Sequence, residues 1–262
     1  MMIETNFPVP VDNIRFPDAI TIRHGSAPIL SRLFVAADNM SQALGIKLKF
    51  RNDFEALMRL NEAEVAKGTW YKMTYVFDCR VSTDLGPANA FWIAAEDKAG
   101  EIIATTCGRV FDWKNTTLAD EVRLMYYGGR DFGQKCIVTA PLAAQITGCV
   151  YYAGAVWVSP AYRGTGLSSL LPHVARAYAA SRWPLDCAMN LMNVNIIDKI
   201  PSRYGYSEIS RSIFFPGSPL GDLEDVVCRL KADEFYADFE RFATDWREYV
   251  RAAQERRVTQ AA

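Results

Sequence analysis

The segment Arg163-Gly164-Thr165-Gly166-Leu167-Ser168 has the residue types and the position needed to bind an anion. It lies between a strand-like apolar run, residues 149–158, and a helical pattern that begins at Leu167. The first turn of a helix presents unpaired backbone N–H groups and the positive end of the helix dipole. Glycines there let phosphates approach the backbone, and an arginine can bind phosphate oxygens through two N–H groups. The segment therefore predicts a pyrophosphate site.

Two other interpretations of this turn exist. A glycine-rich turn can simply connect a strand to a helix, and Gly164-Thr165-Gly166 also resembles the start of the dinucleotide motif GxGxxG. Asp186 lies 20 residues beyond Gly166, near where a ribose-binding acid is expected. Ser169, however, replaces the third glycine, and Asp186 begins its predicted strand, whereas the ribose acid belongs at the end of one. The sequence therefore disfavours a dinucleotide.

The elements on both sides of the turn form a strand–turn–helix–strand unit. The helix has an apolar stripe at helical spacing, formed by Leu167, Leu170, Leu171, Val174, Ala175 and Tyr178. Pro172 removes one backbone hydrogen bond inside this helix and is expected to kink it. A second apolar run, residues 185–192, follows. Its strand is expected to lie parallel to the first, joined to it by a right-handed crossover.

Further elements are predicted on both sides of this unit. The predicted strands are 19–24, 46–50, 70–79, 89–96 and 101–113, and a turn at 97–100 makes a hairpin of the fourth and fifth. One helix runs from Leu30 to Gly45, and a second is capped by Asn52 and ends near Gly68. The inward residues of the second helix are Phe54, Leu57, Met58 and Val65.

The rest of the chain predicts one excursion and one long helix. Residues 114–148 form an insertion-like excursion that contains a helix at 118–127. A charged C-terminal helix is expected over 222–257, followed by a disordered tail from residue 254 to the end. Its aromatic seam consists of Phe235, Phe239, Phe242, Trp246 and Tyr249. The seam is expected to pack on the chain's own elements, and a homodimer contact is the alternative.

Composition excludes several classes of function. The 262 residues are 50% hydrophobic, and 29 basic and 30 acidic residues give a net charge of −1. This charge provides no field that would attract nucleic acid or an anionic membrane. Residues 1–18 lack the pattern of a secretory signal, and no apolar run approaches the length of a membrane span. The expected location is cytoplasmic, with neither nucleic acid nor membrane as a partner.

The cysteines and histidines argue against metal and nucleophilic chemistry. Six cysteines are scattered singly, and His24 and His173 are the two histidines of the sequence. Isolated cysteines in a chain of this length are usually reduced core residues. A zinc site and a serine–histidine triad both lack the necessary residues. No metal is therefore expected.

The residues around the turn resemble those of a known family. Val156-x-Val158-x-Pro160-x-Tyr162-Arg163-Gly164-x-Gly166-Leu167-x-Ser169-x-Leu171 is similar to the acyl-CoA-binding motif of the GNAT N-acetyltransferase superfamily. That motif reads Q/R-x-x-G-x-G/A, and Arg163, Gly166 and Ser168 fall on its marked positions. Ser168 and Pro172 depart from the usual pattern. The later stretch Asn195…Tyr204-Gly205-Tyr206 resembles the family's asparagine followed by aromatic, glycine and aromatic.

The resemblance implies a role for each of these segments. The backbone of Val156, Trp157 and Val158 would pair with the pantetheine arm and polarise the acyl carbonyl. Residues Arg163, Gly164, Thr165, Gly166, Leu167 and Ser168 would hold the pyrophosphate. Asn195 would belong to the same site. Acetyl-CoA, or another acyl-CoA, is the implied co-substrate, and a small-molecule amine or a peptide is the implied acceptor.

The resemblance also suggests where the catalytic side chains lie. The family often places a tyrosine four residues before the glycine of its aromatic–glycine stretch, where this chain has Pro201. Tyr204 is the proposed proton donor to the departing thiolate, and an aromatic plug at the end of the sheet is its alternative role. Tyr152, Asp112 and Glu121 are candidate bases because they flank the predicted cleft. Asn190, Asn193 and Asn195 can line that cleft or act as strand-end caps.

The sequence thus predicts an α/β protein of the GNAT type. Its sheet is mixed and mostly antiparallel, with one splayed parallel pair, and helices flank it. The predicted division is an N-terminal segment 1–17, an acyl-CoA-binding domain 18–216 and a C-terminal helical extension 217–262. The predicted function is acyl-CoA-dependent N-acyl transfer by direct attack of the amine. A non-catalytic acyl-CoA-binding or protein-interaction module on the same fold is the alternative.

Overall fold

The computed structural model of the chain describes residues 15–127, 136–199, 204–218 and 221–261. The helices are α1 (Ala27–Leu44), α2 (Phe54–Ala66), α3 (Leu118–Tyr127), α4 (Leu167–Arg182) and α5 (Phe235–Ala261). The strands are β1 (Lys47–Arg51), β2 (Ala90–Glu96), β3 (Ile102–Trp113), β4 (Ile137–Val138), β5 (Gly148–Val158), β6 (Cys187–Asn193), β7 (Glu208–Ser218) and β8 (Gly221–Lys231).

The eight strands form one sheet in the order β1-β2-β3-β5-β6-β8-β7-β4. The pair β5 and β6 is parallel, and the other described pairs are antiparallel. Helix α4 connects the two parallel strands. The mixed, mostly antiparallel sheet with one parallel pair and flanking helices confirms the predicted fold class.

Each face of the sheet has its own core. Successive strand residues point to opposite faces, so Tyr151 joins one core and Tyr152 the other. The first core packs β-strand side chains against α1, α4 and α5, for example Phe34, Val174 and Phe239. The second packs them against α2, α3 and residues 70–77. These are called the α4 face and the α2 face below.

Most of the secondary structure predicted before the turn at residues 163–166 is present. Helix α1 ends at Gly45, which has φ +69°, and residues 97–100 join β2 to β3 as a hairpin. Helix α2 differs in detail, because Asp53 rather than Asn52 caps it through a hydrogen bond from the Ala56 N–H to Oδ1, 3.0 Å long. Val65 is exposed instead of facing inward.

Two predicted strands are wrong. Residues 19–24 pair with no strand; the backbone N–H groups of Arg23 and His24 instead donate to Ser181 O at the end of α4. Residues 70–79 are irregular, with a short 3-10 helix at Tyr75–Phe77. Their apolar side chains each pack into the core of the α2 face without strand pairing. The spacing of apolar residues that suggested a strand therefore reflects burial of single side chains.

The C-terminal region also differs from the prediction. Residues 222–231, expected to be helical, belong to β8, which lies between β6 and β7. The predicted boundary at residue 216 therefore falls inside the β7–β8 hairpin. Helix α5 begins at Phe235 and continues to Ala261, through the tail that was expected to be disordered. Phe235, Phe239 and Phe242 are buried in the α4 core, as the packing prediction for the seam requires.

The excursion between β3 and β5 has secondary structure of its own. Helix α3 confirms the helix predicted at 118–127. Strand β4 extends the far edge of the sheet by pairing with β7, and a 3-10 helix at Pro141–Gln145 leads into β5. Residues 128–135 lie outside the described part of the chain.

Candidate functional site

The parallel strands separate after a short pairing. The pairing of β5 with β6 runs from Val150 opposite Cys187 to Tyr152 opposite Met189. Beyond Tyr152, β5 continues to Val158 while pairing with β3 on its other side. Along residues 153–158 the described structure has no strand pairing on the β6 side of β5. One edge of the backbone at Val156, Trp157 and Val158 is therefore available to a ligand that adds to a strand.

A β-bulge in β5 sets the direction of this edge. Thr105 lies opposite Trp157 and Cys107 lies opposite Gly154, so β5 has one extra residue between the two pairs. Ala155 has φ +51° within the bulge. The hydroxyl of Thr105 donates to the carbonyl oxygen of Ala155 over 3.1 Å, which holds the bulged peptide against β3.

The turn after β5 has the geometry that the glycines predict. Gly164 and Gly166 have φ +80° and +87°, which side chains with a Cβ rarely adopt. The backbone N–H groups of Gly164, Gly166, Leu167 and Ser168 have no hydrogen-bond acceptor in the described part of the chain. These four groups cluster where β5 ends and α4 begins. They form an anion site of the kind expected at a helix N-terminus.

The predicted pyrophosphate site, residues 163–168, is the cradle. Two of its residues act through their backbone. Thr165 is buried, and its hydroxyl donates to Tyr162 O over 2.6 Å, which closes the turn. The side chain of Leu167 is buried in the α4 core and anchors the start of the helix. Their side chains stabilise the turn, and the ligand-facing group that Leu167 offers is its N–H.

Arg163 is exposed at the mouth of the cradle and already has two partners within the chain. Its Nε donates to Val158 O over 3.3 Å, and its Nη2 donates to Thr69 O over 3.0 Å. A guanidinium has five N–H donors, so others remain for a phosphate. Arg163 therefore joins the end of β5 to the segment after α2.

Helix α4 is held to α5 by a buried polar cluster. His173 Nδ1 lies 2.7 Å from Ser169 O, which can only accept, so Nδ1 carries the proton. His173 Nε2 lies 3.4 Å from Asp238 Oδ2, and the Arg176 guanidinium pairs with the same carboxylate. Arg176 Nη1 also donates to Tyr204 O over 2.7 Å. Since Ser169 lies in the first turn of α4, the cluster links α5 to the cradle.

The charges of this cluster determine the state of Asp238. Burial by itself raises the pKa of its carboxyl. The contact with His173 and the positive charges of Arg176 and Arg241 outweigh burial, and the pKa of the Asp238 carboxyl lies below its usual value. Asp238 is therefore ionised at neutral pH. Pro172 leaves α4 as one helix, although its missing N–H deprives Ser168 O of a helical donor.

The two predicted catalytic tyrosines lie in different cores. Tyr204 is buried in the core of the α4 face, and Tyr152 is buried in the core of the α2 face, where its ring stacks on Phe77. Burial, with a smaller effect of the charge of Asp225, raises the pKa of Tyr152. A phenol with a raised pKa stays protonated at neutral pH, which argues against Tyr152 as a base. Pro201 lies outside the described residues.

The structure places Asp112 away from the splayed strands. Asp112 lies opposite Cys149, at the other end of β5, and forms an exposed 2.8 Å ion pair with Lys114. Glu121 accepts a hydrogen bond of 2.9 Å from Thr116. It lines a separate cavity of about 280 Å³ beside Asp84 and Arg109. Asp112 does not flank the cleft, so its prediction as a base is wrong, whereas that of Glu121 stays a prediction.

The predicted asparagines lie at and beyond the end of β6. Asn190 is buried and hydrogen-bonded to the Tyr206 phenol. Asn193 Oδ1 accepts from the backbone N–H of Asn195 over 3.1 Å, which is a capping contact. Asn195 is exposed in a 3-10 segment after the strand.

Asp186 is remote from the cradle. Its Oδ2 accepts from the backbone N–H of Cys149 over 2.7 Å, at the N-terminal end of β5. The cradle lies beyond the C-terminal end of the same strand. The structure therefore removes the basis of the dinucleotide interpretation.

Sequence reasoning missed two residues near the splayed strands. Asp225 in β8 is 3% exposed and lies opposite Asn193, at the end of β6. Tyr71 is 66% exposed, and desolvation together with the charge of Asp225 raises the pKa of its phenol. The sequence carries one signal for Asp225, an acid directly before the apolar residues Val226, Val227 and Cys228.

No group of three or more His, Cys, Asp or Glu side chains among the described residues is arranged to hold a metal ion. No described helix combines the length and the apolar character of a membrane span.

Comparison with known proteins finds similarity at the level of structure. No family model matches the chain, and no curated protein sequence matches it. The structure of Arabidopsis thaliana NAA60 in complex with acetyl-CoA is similar at 13% identity, with 72% of this chain and 99% of that chain covered and a TM-score of 0.49. The Vibrio cholerae spermidine/spermine N-acetyltransferase SpeG is similar at 10% identity, with 74% and 98% covered and a TM-score of 0.43.

An agmatine N-acetyltransferase is similar at 13% identity, with 71% of this chain and 99% of that chain covered and a TM-score of 0.47. The sheet of the present chain, with its parallel pair splayed ahead of α4, has the fold that the resemblance to the GNAT superfamily predicts.

Proposed function

We propose that the chain binds an acyl-CoA across the splayed strands and transfers the acyl group to an amine. The edge of β5 at Val156, Trp157 and Val158 binds the pantetheine arm as an added strand would bind. The backbone from Gly164 to Ser168 binds the pyrophosphate, with Arg163 as the cation at its mouth. Asn195, beyond the end of β6, is the further residue proposed for this site.

One observation supports this proposal most directly. The unpaired edge of β5 leads directly to the four backbone N–H groups without acceptors at the start of α4. The extended, amide-containing pantetheine arm matches the unpaired strand edge, and the pyrophosphate at its end matches the four N–H groups. A Cβ added at Gly164 would meet no protein atom within 4 Å, so the space beside this glycine is open to a ligand.

The chemistry follows from the position of the edge. A backbone N–H of residues 156–158 hydrogen-bonds the acyl carbonyl oxygen and stabilises the oxyanion that forms when the amine attacks. No covalent enzyme intermediate is needed, because the amine is the nucleophile. Tyr204, on the face from which α4 begins, is the proposed proton donor to the departing thiolate. Acetyl is the proposed acyl group, and a small amine or a peptide is the acceptor.

The cofactor half of the proposal is tested by thermal unfolding with and without acetyl-CoA. A ligand at about 100 times its dissociation constant adds about 2.7 kcal/mol of stability, which moves the midpoint by a few degrees. Gly164→Ala is expected to lose this shift because its Cβ occupies the space of the phosphates.

Gly100→Ala is the matched control. Gly100 has φ +86°, and its added Cβ also meets no atom within 4 Å, but it lies in the β2–β3 turn. Both variants therefore carry the same kind of backbone strain, about 1–2 kcal/mol. Loss of the shift in Gly164→Ala alone supports the cradle. A wild-type chain that acetyl-CoA does not stabilise contradicts the proposal, and stabilisation without thiol release for any amine indicates a binding module.

A further inference from the structure

A cavity of about 280 Å³ lies on the α2 face, apart from the cradle and the β5 edge. The end of β3, one side of α3 and the segment 81–84 enclose it. A cavity of about 150 Å³ already holds benzene, so this volume accommodates a ring with a short polar chain. Asp84 and Leu124 line the cavity and are exposed, so it is open to solvent on their side.

One wall of the cavity is aromatic. Phe111 and Trp113 point to the same face of the sheet from alternate positions of β3. Their rings stack with centroids 4.8 Å apart and planes inclined by 15°. Leu124 and Met125 of α3 line the cavity with them. Aromatic faces pack well against another flat ring, so this wall favours a ligand with a planar apolar body.

A buried arginine lines the cavity and has one unused donor. The side chain of Arg109 is 9% exposed. Its Nη1 donates to Val76 O over 2.9 Å, and its Nη2 donates to Oδ1 and Oδ2 of Asp84 over 2.8 and 2.7 Å. Its Nε is buried and has no acceptor in the described part of the chain. Asp84 therefore pairs with one nitrogen of a group that can offer two parallel donors to a carboxylate.

The pairing with Asp84 is open to displacement. The Asp84 side chain is 64% exposed, so water screens much of its attraction to Arg109. A buried donor without an acceptor is costly, and a second carboxylate that engages Nε and Nη2 together would satisfy it. The geometry of Arg109 therefore favours a ligand carboxylate over Asp84.

A carboxylate lines the cavity from α3. Glu121 is half-buried, and its Oε1 accepts from the hydroxyl of Thr116 over 2.9 Å. Within the described residue ranges no second donor is bonded to this carboxylate. Glu121 therefore has capacity to accept from an ammonium group, and its charge disfavours a ligand with two carboxylates.

We propose that this cavity binds an α-amino acid with a planar apolar side chain. The ligand's carboxylate pairs with Nε and Nη2 of Arg109 and displaces Asp84 into solvent. Its ammonium group donates to Glu121, and its side chain lies on the rings of Phe111 and Trp113. One cation, one anion and an aromatic wall around a single cavity match the three parts of such a molecule. No bond is made or broken in this step, and the site does not depend on the proposed acyl-CoA function.

The test is isothermal titration of the full chain with phenylalanine and two analogues, without acetyl-CoA. Titration to about 10 mM detects a dissociation constant below about 1 mM. Phenylalanine is expected to bind within this range. Phenethylamine, which lacks the carboxylate, is expected to show no binding. The analogue without the ammonium group, 3-phenylpropionate, is expected to bind about tenfold more weakly than phenylalanine.

Two variants address the cation and its displaced partner. Arg109→Lys keeps the positive charge but loses the parallel donors, and it should weaken phenylalanine binding about tenfold or more. Asp84→Asn removes the competing carboxylate and should tighten binding about two- to fivefold. A gain of affinity is not expected from damage to the fold. Asp84 is exposed, so its replacement leaves the core intact.

Two further variants address the anion. Glu121→Gln should weaken phenylalanine binding about tenfold and leave the binding of 3-phenylpropionate unchanged, because that analogue has no ammonium group. Asp112→Asn is the matched control. Asp112 is exposed and lies between Phe111 and Trp113 in β3, so its side chain points away from the cavity while the charge change equals that of Asp84→Asn. Its affinity for phenylalanine should equal that of the wild type.

Three outcomes would overturn the proposal. The first is a wild-type chain that phenylalanine does not bind. The second is phenethylamine binding as tightly as phenylalanine, because Arg109 would then have no carboxylate to recognise. The third is an Asp84→Asn variant whose affinity is unchanged or lower, which decides the matter even if Arg109→Lys does not fold. Because no titration contains acetyl-CoA, these outcomes leave the acyl-CoA proposal to its own test.

Discussion

The indole rings of Trp70 and Trp157 stack with their centroids 5.4 Å apart and their planes inclined by 20°. Trp157 belongs to the β5 edge proposed to bind pantetheine, and Trp70 follows Thr69, whose carbonyl accepts from Arg163. The segment after α2 is therefore attached to the proposed cofactor site at two neighbouring points.

Removing one ring of this stack is expected to weaken acyl-CoA binding at a distance. Trp70→Ala should cost about 3–5 kcal/mol of stability, since it leaves a cavity against Trp157. It should also raise the dissociation constant of acetyl-CoA, because the β5 edge loses its support. Urea unfolding and ligand titration measure the two effects.

A second stacked pair provides the control for this prediction. Phe111 and Trp113 stack at 4.8 Å in the part of β3 that pairs with the N-terminal end of β5. Phe111→Ala should lower stability and leave the affinity for acetyl-CoA unchanged. Equal losses of affinity in both variants would show that general destabilisation is the cause.

The buried pair of Arg176 and Asp238 is expected to dominate the attachment of α5. Asp238→Ala leaves the Arg176 guanidinium buried without its carboxylate, which typically costs about 3–5 kcal/mol. Glu240→Ala, on the same helix, removes an exposed partner of Arg32 and should cost about 0–1 kcal/mol. Denaturant unfolding of both variants measures the contrast, and similar losses would contradict the buried-pair account.

The low pKa of Asp238 predicts an acid dependence of stability. A carboxyl whose pKa is lower in the folded state stabilises the protein fully above its unfolded pKa, about 3.9. That contribution is lost as the pH falls from there through the folded pKa. The difference in unfolding free energy between wild type and Asp238→Asn should therefore be largest above about pH 4 and shrink below it. A difference that stays constant between pH 6 and pH 3, measured by urea unfolding, would exclude this linkage.

The cysteine thiols are expected to react slowly in the folded protein. Burial raises the pKa of Cys136 to about 11 and that of Cys228 to about 12. Burial likewise raises the pKa of Cys149 to about 11, with smaller effects of Asp186 and Asp112, and that of Cys187 to about 12. Since the thiolate is the reactive form, labelling by an aromatic disulfide at pH 8 should be slow until the chain unfolds. Fast labelling of Cys107, Cys187 or Cys228 in the native state would contradict their buried positions.

The sequence predicted the strand, turn and helix of the candidate cofactor site because their signals are local. An apolar strand, two glycines and an amphipathic helix follow one another within residues 149–182, so one stretch of chain specifies both the turn and its orientation. The position of β8 between β6 and β7 depends instead on strand order and register. Neither of these follows from the local pattern of a single sequence.

The error at β8 has a physical cause as well. Residues 222–231 contain charges at Asp222, Glu224, Asp225, Arg229 and Lys231, which is typical of a solvated helix. In the sheet, Arg229 is neutralised by Glu208 across the strand pair, 2.5 Å from its Nε. The charged pattern predicted a helix because the sequence does not show that these charges are paired across strands.

The internal position of β8 has a consequence during protein synthesis. The ribosome makes β8 after the other seven strands, yet β8 separates β6 from β7 in the finished sheet. Until residues 221–231 leave the ribosome, the nascent chain has two neighbouring strands with open backbone edges, and such edges pair readily with other chains. A stalled or truncated chain that ends near residue 216 would therefore be a substrate for chaperones and proteases rather than a smaller working protein.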